Sequence, residues 1–227
     1  MLVESLKEFF EKIGKKKAVI GLSGGVDSAV CLALTVKAIG SENVTAIFMP
    51  EIGLSKSEDD ARDLAKELKV EFLVVPINSF LIDNFPWKRN NIAKMNIKPR
   101  IRMIILYDFA NSNDAIVIGT SNKSEIYLGY GTKHGDFASD VLPIGDLLKT
   151  EVYSLASELG IPKSIINKKP TAELELNQFD ETEIGMGYEE IDNNIKKFLN
   201  GENIDEKILK RIKDNEHKRK IPLIMKK

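Results

Sequence analysis

Apolar positions along the chain fall into two alternating patterns. Residues 18–22, 43–49, 71–75 and 115–118 are short, mostly apolar runs, as expected of strands covered on both faces. Between them, apolar residues recur three and four positions apart. Residues 57–69 place Ala61, Leu64, Ala65 and Leu68 on one helical face, with Ser57 as N-cap. Residues 29–39 are apolar enough for a buried helix. Residues 1–17 carry Leu2, Leu6, Phe9, Phe10 and Ile13 at helical spacing with charges between, an amphipathic helix rather than a signal peptide. Residues 78–98 are less regular, with turn signals at Pro86 and at Asn90-Asn91, and Pro99 suits the first turn of a helix running to about Ala110. Strands separated by helices predict an α/β fold, a doubly wound parallel sheet with right-handed crossovers and helices on both faces.

After residue 118 the pattern changes. Residues 120–140 are polar and Gly-rich, read as loop and short helix. A helix is predicted over 146–159, stopped by Gly160 and followed by Pro162. Residues 167–187 form a long polar stretch, and two helices over 188–199 and 204–218 close the chain. The segments 78–98 and 167–187 are expected to be mobile without ligand and to order over a bound one. No internal repeat interrupts the pattern, so a single domain over residues 1–227 is expected.

Composition narrows the function. A formal net charge of −1 supplies no global field for nucleic acid, so any nucleotide site must rest on local Lys and Arg. Cys31 is the single cysteine, which excludes an internal disulfide and a cysteine zinc cluster. It lies in an apolar helical run, where a small core residue is the simpler reading than a nucleophile. No apolar stretch reaches the ~18 residues of a membrane span, and a cytoplasmic location is expected.

The candidate chemistry sits at two strand ends. Gly21, Leu22, Ser23, Gly24, Gly25, Val26, Asp27 and Ser28 join the first strand to the first apolar helix. A strand, a Gly-rich turn and a helix N-terminus make an anion cradle of free N–H groups aligned with the helix dipole. Asp27 would repel a phosphate unless it holds a divalent cation bridging to it. No Lys follows the glycines as a P-loop requires. A tight turn with an N-cap is the competing reading. The second motif, Gly119-Thr120-Ser121-Asn122-Lys123-Ser124-Glu125, follows the fourth strand. If strands one and four are neighbours, both motifs face one crevice, with Glu125 a second carboxylate for the cation and Thr120 a nucleotide contact. Ordinary helix capping is again the alternative. Lys149, Lys133 and His217 taken singly could be solvated surface groups.

The loop Ser23-Gly24-Gly25-Val26-Asp27-Ser28 resembles the S-G-G-x-D-S loop of the ATP pyrophosphatases, the adenine nucleotide alpha-hydrolase superfamily, whose Rossmann-like members cut ATP between the α and β phosphates. The resemblance narrows with residues 96–103 (Asn-Ile-Lys-Pro-Arg-Ile-Arg-Met), 119–125, 129–140, 143–150, 170–172, 180–185 and 216–219. In order, and over nearly the whole chain, these are similar to the ammonia-dependent NAD synthetase family. That resemblance implies a ligase using ATP, Mg2+, deamido-NAD and ammonia. The nicotinate carboxylate of deamido-NAD attacks the ATP α-phosphate, pyrophosphate leaves, and ammonia displaces AMP to form NAD. Residues 21–28, Thr120, Lys149 and Thr171 are implied ATP contacts, with Asp27 and Lys149 catalytic. Asp27 and Glu125 are implied magnesium ligands, and Arg100, Lys133, Asp140, His217 and Lys218 deamido-NAD contacts. A homodimer is implied, with no nucleic acid or membrane partner and no glutaminase domain. The segment 173–179 departs from the family's forms. The rivals are a tRNA thiolase or GMP synthase type of ATP pyrophosphatase, and a non-catalytic nucleotide sensor on the same fold.

Overall fold

A computed structural model describes residues 1–51, 57–80, 86–169 and 183–225. Its sheet is fully parallel. Strands β1 (Lys17–Gly21), β2 (Val44–Phe48), β3 (Glu71–Val74) and β4 (Ala115–Ile118) lie in the order β3-β2-β1-β4. Strand order therefore reverses at β1, which pairs with β2 on one side and β4 on the other, Ile20 standing opposite Ala46 and Ile118. The crevice between the carboxyl ends of β1 and β4 is the topological switch point, where open α/β sheets bind ligands.

Both faces of the sheet are covered. Ala18, Ile20, Val44, Ala46, Phe48 and Ile118 point into one core, packed by α1 (Leu2–Ile13), α2 (Val26–Ile39) and α3 (Glu58–Glu67). Val19, Ile47 and Val117 alternate to the other face, against α4 (Asn91–Asn113). The period-two alternation of one strand thus feeds two cores. Three further helices, α5 (Lys123–Leu128), α6 (Lys149–Glu158) and α7 (Lys163–Ile166), follow the sheet. The chain then ends in α8 (Tyr188–Leu199), α9 (Glu206–Asp214) and α10 (Glu216–Arg219). A third cluster joins Leu128 and Leu148 to Tyr188, Ile191 and Ile195 of α8 and to Ile208 and Ile212 of α9. No helix among the described residues is long and apolar enough to cross a membrane.

Several boundaries differ from the sequence reading. α2 starts three residues earlier than predicted, because extended Gly25 (φ −93°, ψ 162°) serves as its N-cap and places Asp27 in the first turn. α4 starts at Asn91, so Pro99 lies inside the helix rather than in its first turn. The cap is Asn90, whose side-chain oxygen accepts from Ala93 N at 2.8 Å, and the helix continues past the N–H that Pro99 lacks. This converts residues 91–98, read as irregular, into ordered helix. α6 starts at Lys149 rather than near 146, and Glu151 reaches back to accept from Leu148 N. The last predicted helix divides at Asn215 into α9 and α10.

Candidate active site

The loop between β1 and α2 is held in shape by its own hydrogen bonds. Ser28 Oγ donates to Gly25 O at 3.0 Å, Ser23 N donates to Ser28 Oγ, and Gly25 N donates to Ser23 Oγ. Gly24 has φ +78°, and a Cβ there would stand 2.5 Å from Ser57 O. Glycine is needed on both counts, since the backbone conformation and the space each exclude a side chain. The loop lines a cleft of about 540 Å³.

Across the crevice, Asn122 caps α5: its side chain accepts from Glu125 N while Glu125 Oε2 accepts from Asn122 N at 3.2 Å. The capping reading of this motif is therefore correct, but it is not the whole role. Asn122 is fully buried, and its Nδ2 donates to Asp27 Oδ1 at 2.8 Å. The capping box fixes the amide that fixes the carboxylate.

Lys149 closes the arrangement. It is only 2 % exposed, at the first position of α6. Its Nζ pairs with Asp27 Oδ2, lies 3.8 Å from Glu125 Oε1, and stands 5.3 Å from the Tyr188 ring centroid. Burial alone would depress the Lys149 pKa, but the Asp27 and Glu125 carboxylates outweigh it and hold the ammonium well above the usual lysine range. Lys149 is thus a permanent cation, not a solvated helix charge. Its backbone N donates to Ser124 Oγ at 2.9 Å, Ser124 bonds Asp192, and Asp192 Oδ2 accepts from Thr150 N. Asp192, on α8, caps α6 from outside the helix.

Cys31 is fully buried behind this cluster, its Sγ 3.6 Å from Gly119 O. Burial first, then the charges of Asp27 and Glu125, pushes its pKa well up. It is a protonated core residue, as its apolar setting in the sequence suggested.

The cleft brings together residues 21–28, Thr120, Glu125, Lys149 and Lys218. Lys218 Nζ donates to Gly129 O at 2.7 Å and Gly131 O at 3.1 Å, and burial, then the Arg211 charge, lowers its pKa. Arg100, Lys133, Asp140 and His217 do not line the cleft. Arg100 donates to Lys133 O at 3.3 Å, so those two share one surface. Asp140 finishes the sheet edge: Oδ2 accepts from Val117 N at 2.8 Å and Oδ1 accepts from the Tyr107 hydroxyl, whose pKa burial and Asp140 raise to about 12. His217 is exposed on α10. Thr171 and the divergent 173–179 segment lie outside the described residues. The sequence offered Asn122 only as a helix cap and did not single out Asp192, because Asp27 and Thr150, which they bond, are distant along the chain.

A parallel α/β sheet with a glycine-rich loop and two carboxylates at its switch point is the architecture of a nucleotide-binding α/β protein. A model of the NAD synthase family matches residues 1–222, and the chain belongs to that family. An NH(3)-dependent NAD(+) synthetase of Archaeoglobus fulgidus is 43% identical over 97% of this chain and 94% of that protein. Among solved structures, an NMN synthetase from Francisella tularensis has a TM-score of 0.88 and 38% identity, covering 99% of this chain and 95% of the other. An NH3-dependent NAD synthetase from Campylobacter jejuni has a TM-score of 0.80 and 34% identity, covering 99% and 96%. The thiolase and GMP synthase alternatives fall away with this membership.

Proposed function

We propose that the chain joins ammonia to the nicotinate carboxylate of deamido-NAD at the expense of ATP, releasing AMP and pyrophosphate. The observation that carries the reading is the cluster of half-buried Asp27 and Glu125 with buried Asn122 and Lys149 against the loop at residues 23–28. A carboxylate oxygen of the substrate attacks the α-phosphorus and the bond to the bridging oxygen breaks, so charge grows on the leaving pyrophosphate. Loop N–H groups and the α2 dipole bind that charge. Lys149, cationic throughout, donates hydrogen bonds to it and does not serve as a base. Ammonia then attacks the acyl carbon, AMP leaves with the C–O electron pair, and the surplus proton passes to solvent.

Asp27 and Glu125 fit a magnesium ion. Both converge on one existing cation, and among the described residues they stand as a pair rather than in a larger His, Cys, Asp and Glu cluster. That suits an ion whose remaining ligands are phosphate oxygens and water. When bound there, magnesium would neutralise phosphate charge in the transition state.

Arg100, Lys133, Asp140 and His217 remain candidate deamido-NAD contacts, best served by a homodimer. Thr171 is kept as an ATP contact on the family resemblance, and a cytoplasmic location goes with these substrates. A second reading, amidation of nicotinate mononucleotide, draws on the likeness to the NMN synthetase. The test supplies ATP, magnesium and ammonium with either deamido-NAD or nicotinate mononucleotide, and quantifies pyrophosphate and amide product. Faster amidation of deamido-NAD supports the first reading, and faster amidation of the mononucleotide replaces it with the second. ATP turnover with neither acceptor excludes both.

A further inference from the structure

Among the cations that line the cleft without a role above is Lys168. Lys168 follows α7 and lines the cleft beside the phosphate loop. Its Nζ donates to Gly24 O at 3.4 Å, so the ammonium rests on the rim of the anion cradle. The same Nζ pairs with Asp60 Oδ2 in the first turn of α3, and Ser164 Oγ donates to Asp60 Oδ1 at 2.8 Å. Asp60 does not line the cleft. The Lys168 hydrogen bond, followed by the smaller aid of Ser164, keeps the Asp60 carboxyl below its usual range. The ion pair is partly open to water, with side chains 32% and 25% exposed, and pairs of that kind are weak. A polyphosphate in the loop would offer the same ammonium several negative charges in place of one.

We propose that Lys168 is a ligand of the ATP polyphosphate, held on Asp60 while the nucleotide is absent, so that Asp60 competes with ATP for it. The proposal rests on the reading of the loop as the ATP site. Its thermodynamic signature is specific. A residue that must leave one partner to join another weakens the second interaction by the strength of the first. Removing Asp60 should therefore strengthen ATP binding, while removing Lys168 should weaken it. A brace that only held α7 to α3 would make both substitutions harmful.

The experiment is calorimetric titration of the full chain with magnesium-ATP, alongside the ATP KM at saturating deamido-NAD. Lys168→Met is expected to weaken ATP about tenfold and Lys168→Arg to restore most of it. Asp60→Asn is expected to tighten ATP about two- to fivefold, and to have no effect once Lys168 is Met. The ATP KM should shift in the same direction as the dissociation constant for each variant, and circular dichroism should confirm that every variant folds. ATP binding unchanged by Lys168→Met, or weakened equally by both single substitutions, overturns the proposal alone. A parent chain that binds no ATP overturns the ATP-site reading and this proposal together.

Discussion

Asp27 has two duties that pull a substitution in the same direction. In the proposed reaction it would hold a magnesium ion, and in the structure it neutralises a buried lysine. Asp27→Asn is therefore expected to lower turnover at least a hundredfold or so and also to destabilise the fold by about 3–5 kcal/mol, because it strips the nearer carboxylate from a cation that is 2 % exposed. The double variant Asp27→Asn, Lys149→Met should recover the stability and not the activity, which thermal unfolding beside pyrophosphate release will check. Glu125→Gln keeps an acceptor for Asn122 N and should lose turnover with a smaller loss of stability. The pH dependence follows from the raised Lys149 pKa. Its ion pair contributes fully below the ordinary lysine value near 10.4 and is lost only as pH rises through the higher folded value. The stability difference between parent and Lys149→Met should be flat from about pH 6 to 9; a decline across that interval would contradict a permanently charged lysine.

At the level of elements, the loop and the helix caps set the geometry. Gly24→Ala forces a side chain into φ +78° and against Ser57 O. It is expected to cost about 1–3 kcal/mol and to raise the ATP KM, as measured by denaturant unfolding and steady-state kinetics. Asp192→Ala leaves Thr150 N and Ser124 Oγ without their acceptor in a buried site. A loss of about 1–3 kcal/mol is expected, with kcat falling because Lys149 is no longer held at the start of α6. Where local signals agreed, the sequence was readable: β4 and α8 fall on the predicted residues. Asn90-Asn91 misled because the same residues serve turns and N-caps, and Pro99 because a long, packed helix tolerates a proline that a short one would not. The phosphate loop and Glu125 motif were legible as chemistry. Their convergence needs only the β1–β4 pairing, which the structure contains. The burial of Lys149 was not legible, since Asp27 lies 122 residues away and nothing local marks the lysine as internal.

On the scale of the whole molecule, the source of nitrogen is the decisive property. Glutamine use requires a nucleophile such as an activated cysteine, and Cys31 is buried and protonated. The purified chain is expected to make NAD from ammonium and not from glutamine, at a rate that rises with pH as ammonium loses its proton. NAD formation with either nitrogen source, for the parent and for Cys31→Ala, checks this. Ammonia-free glutamine activity that disappears in Cys31→Ala would overturn it. The ammonium-dependent activity of Cys31→Ala should stay close to the parent's.

The separation between Asp27 and Lys149 also bears on how the chain acquires its shape during synthesis. A ribosome delivers β1, then β4, then Glu125, and only afterwards the lysine, 122 residues behind the first carboxylate. In that interval, docking β4 beside β1 would bring two anions together before the chain's own counter-charge exists, and Coulomb repulsion in a partly dry crevice opposes the step. The sheet is thus free to assemble as β3-β2-β1 while its last strand waits. Lys149, at the start of α6, brings the counter-charge that both carboxylates meet in the finished crevice. The crevice between β1 and β4 is thus electrically complete only when the chain has been made as far as α6.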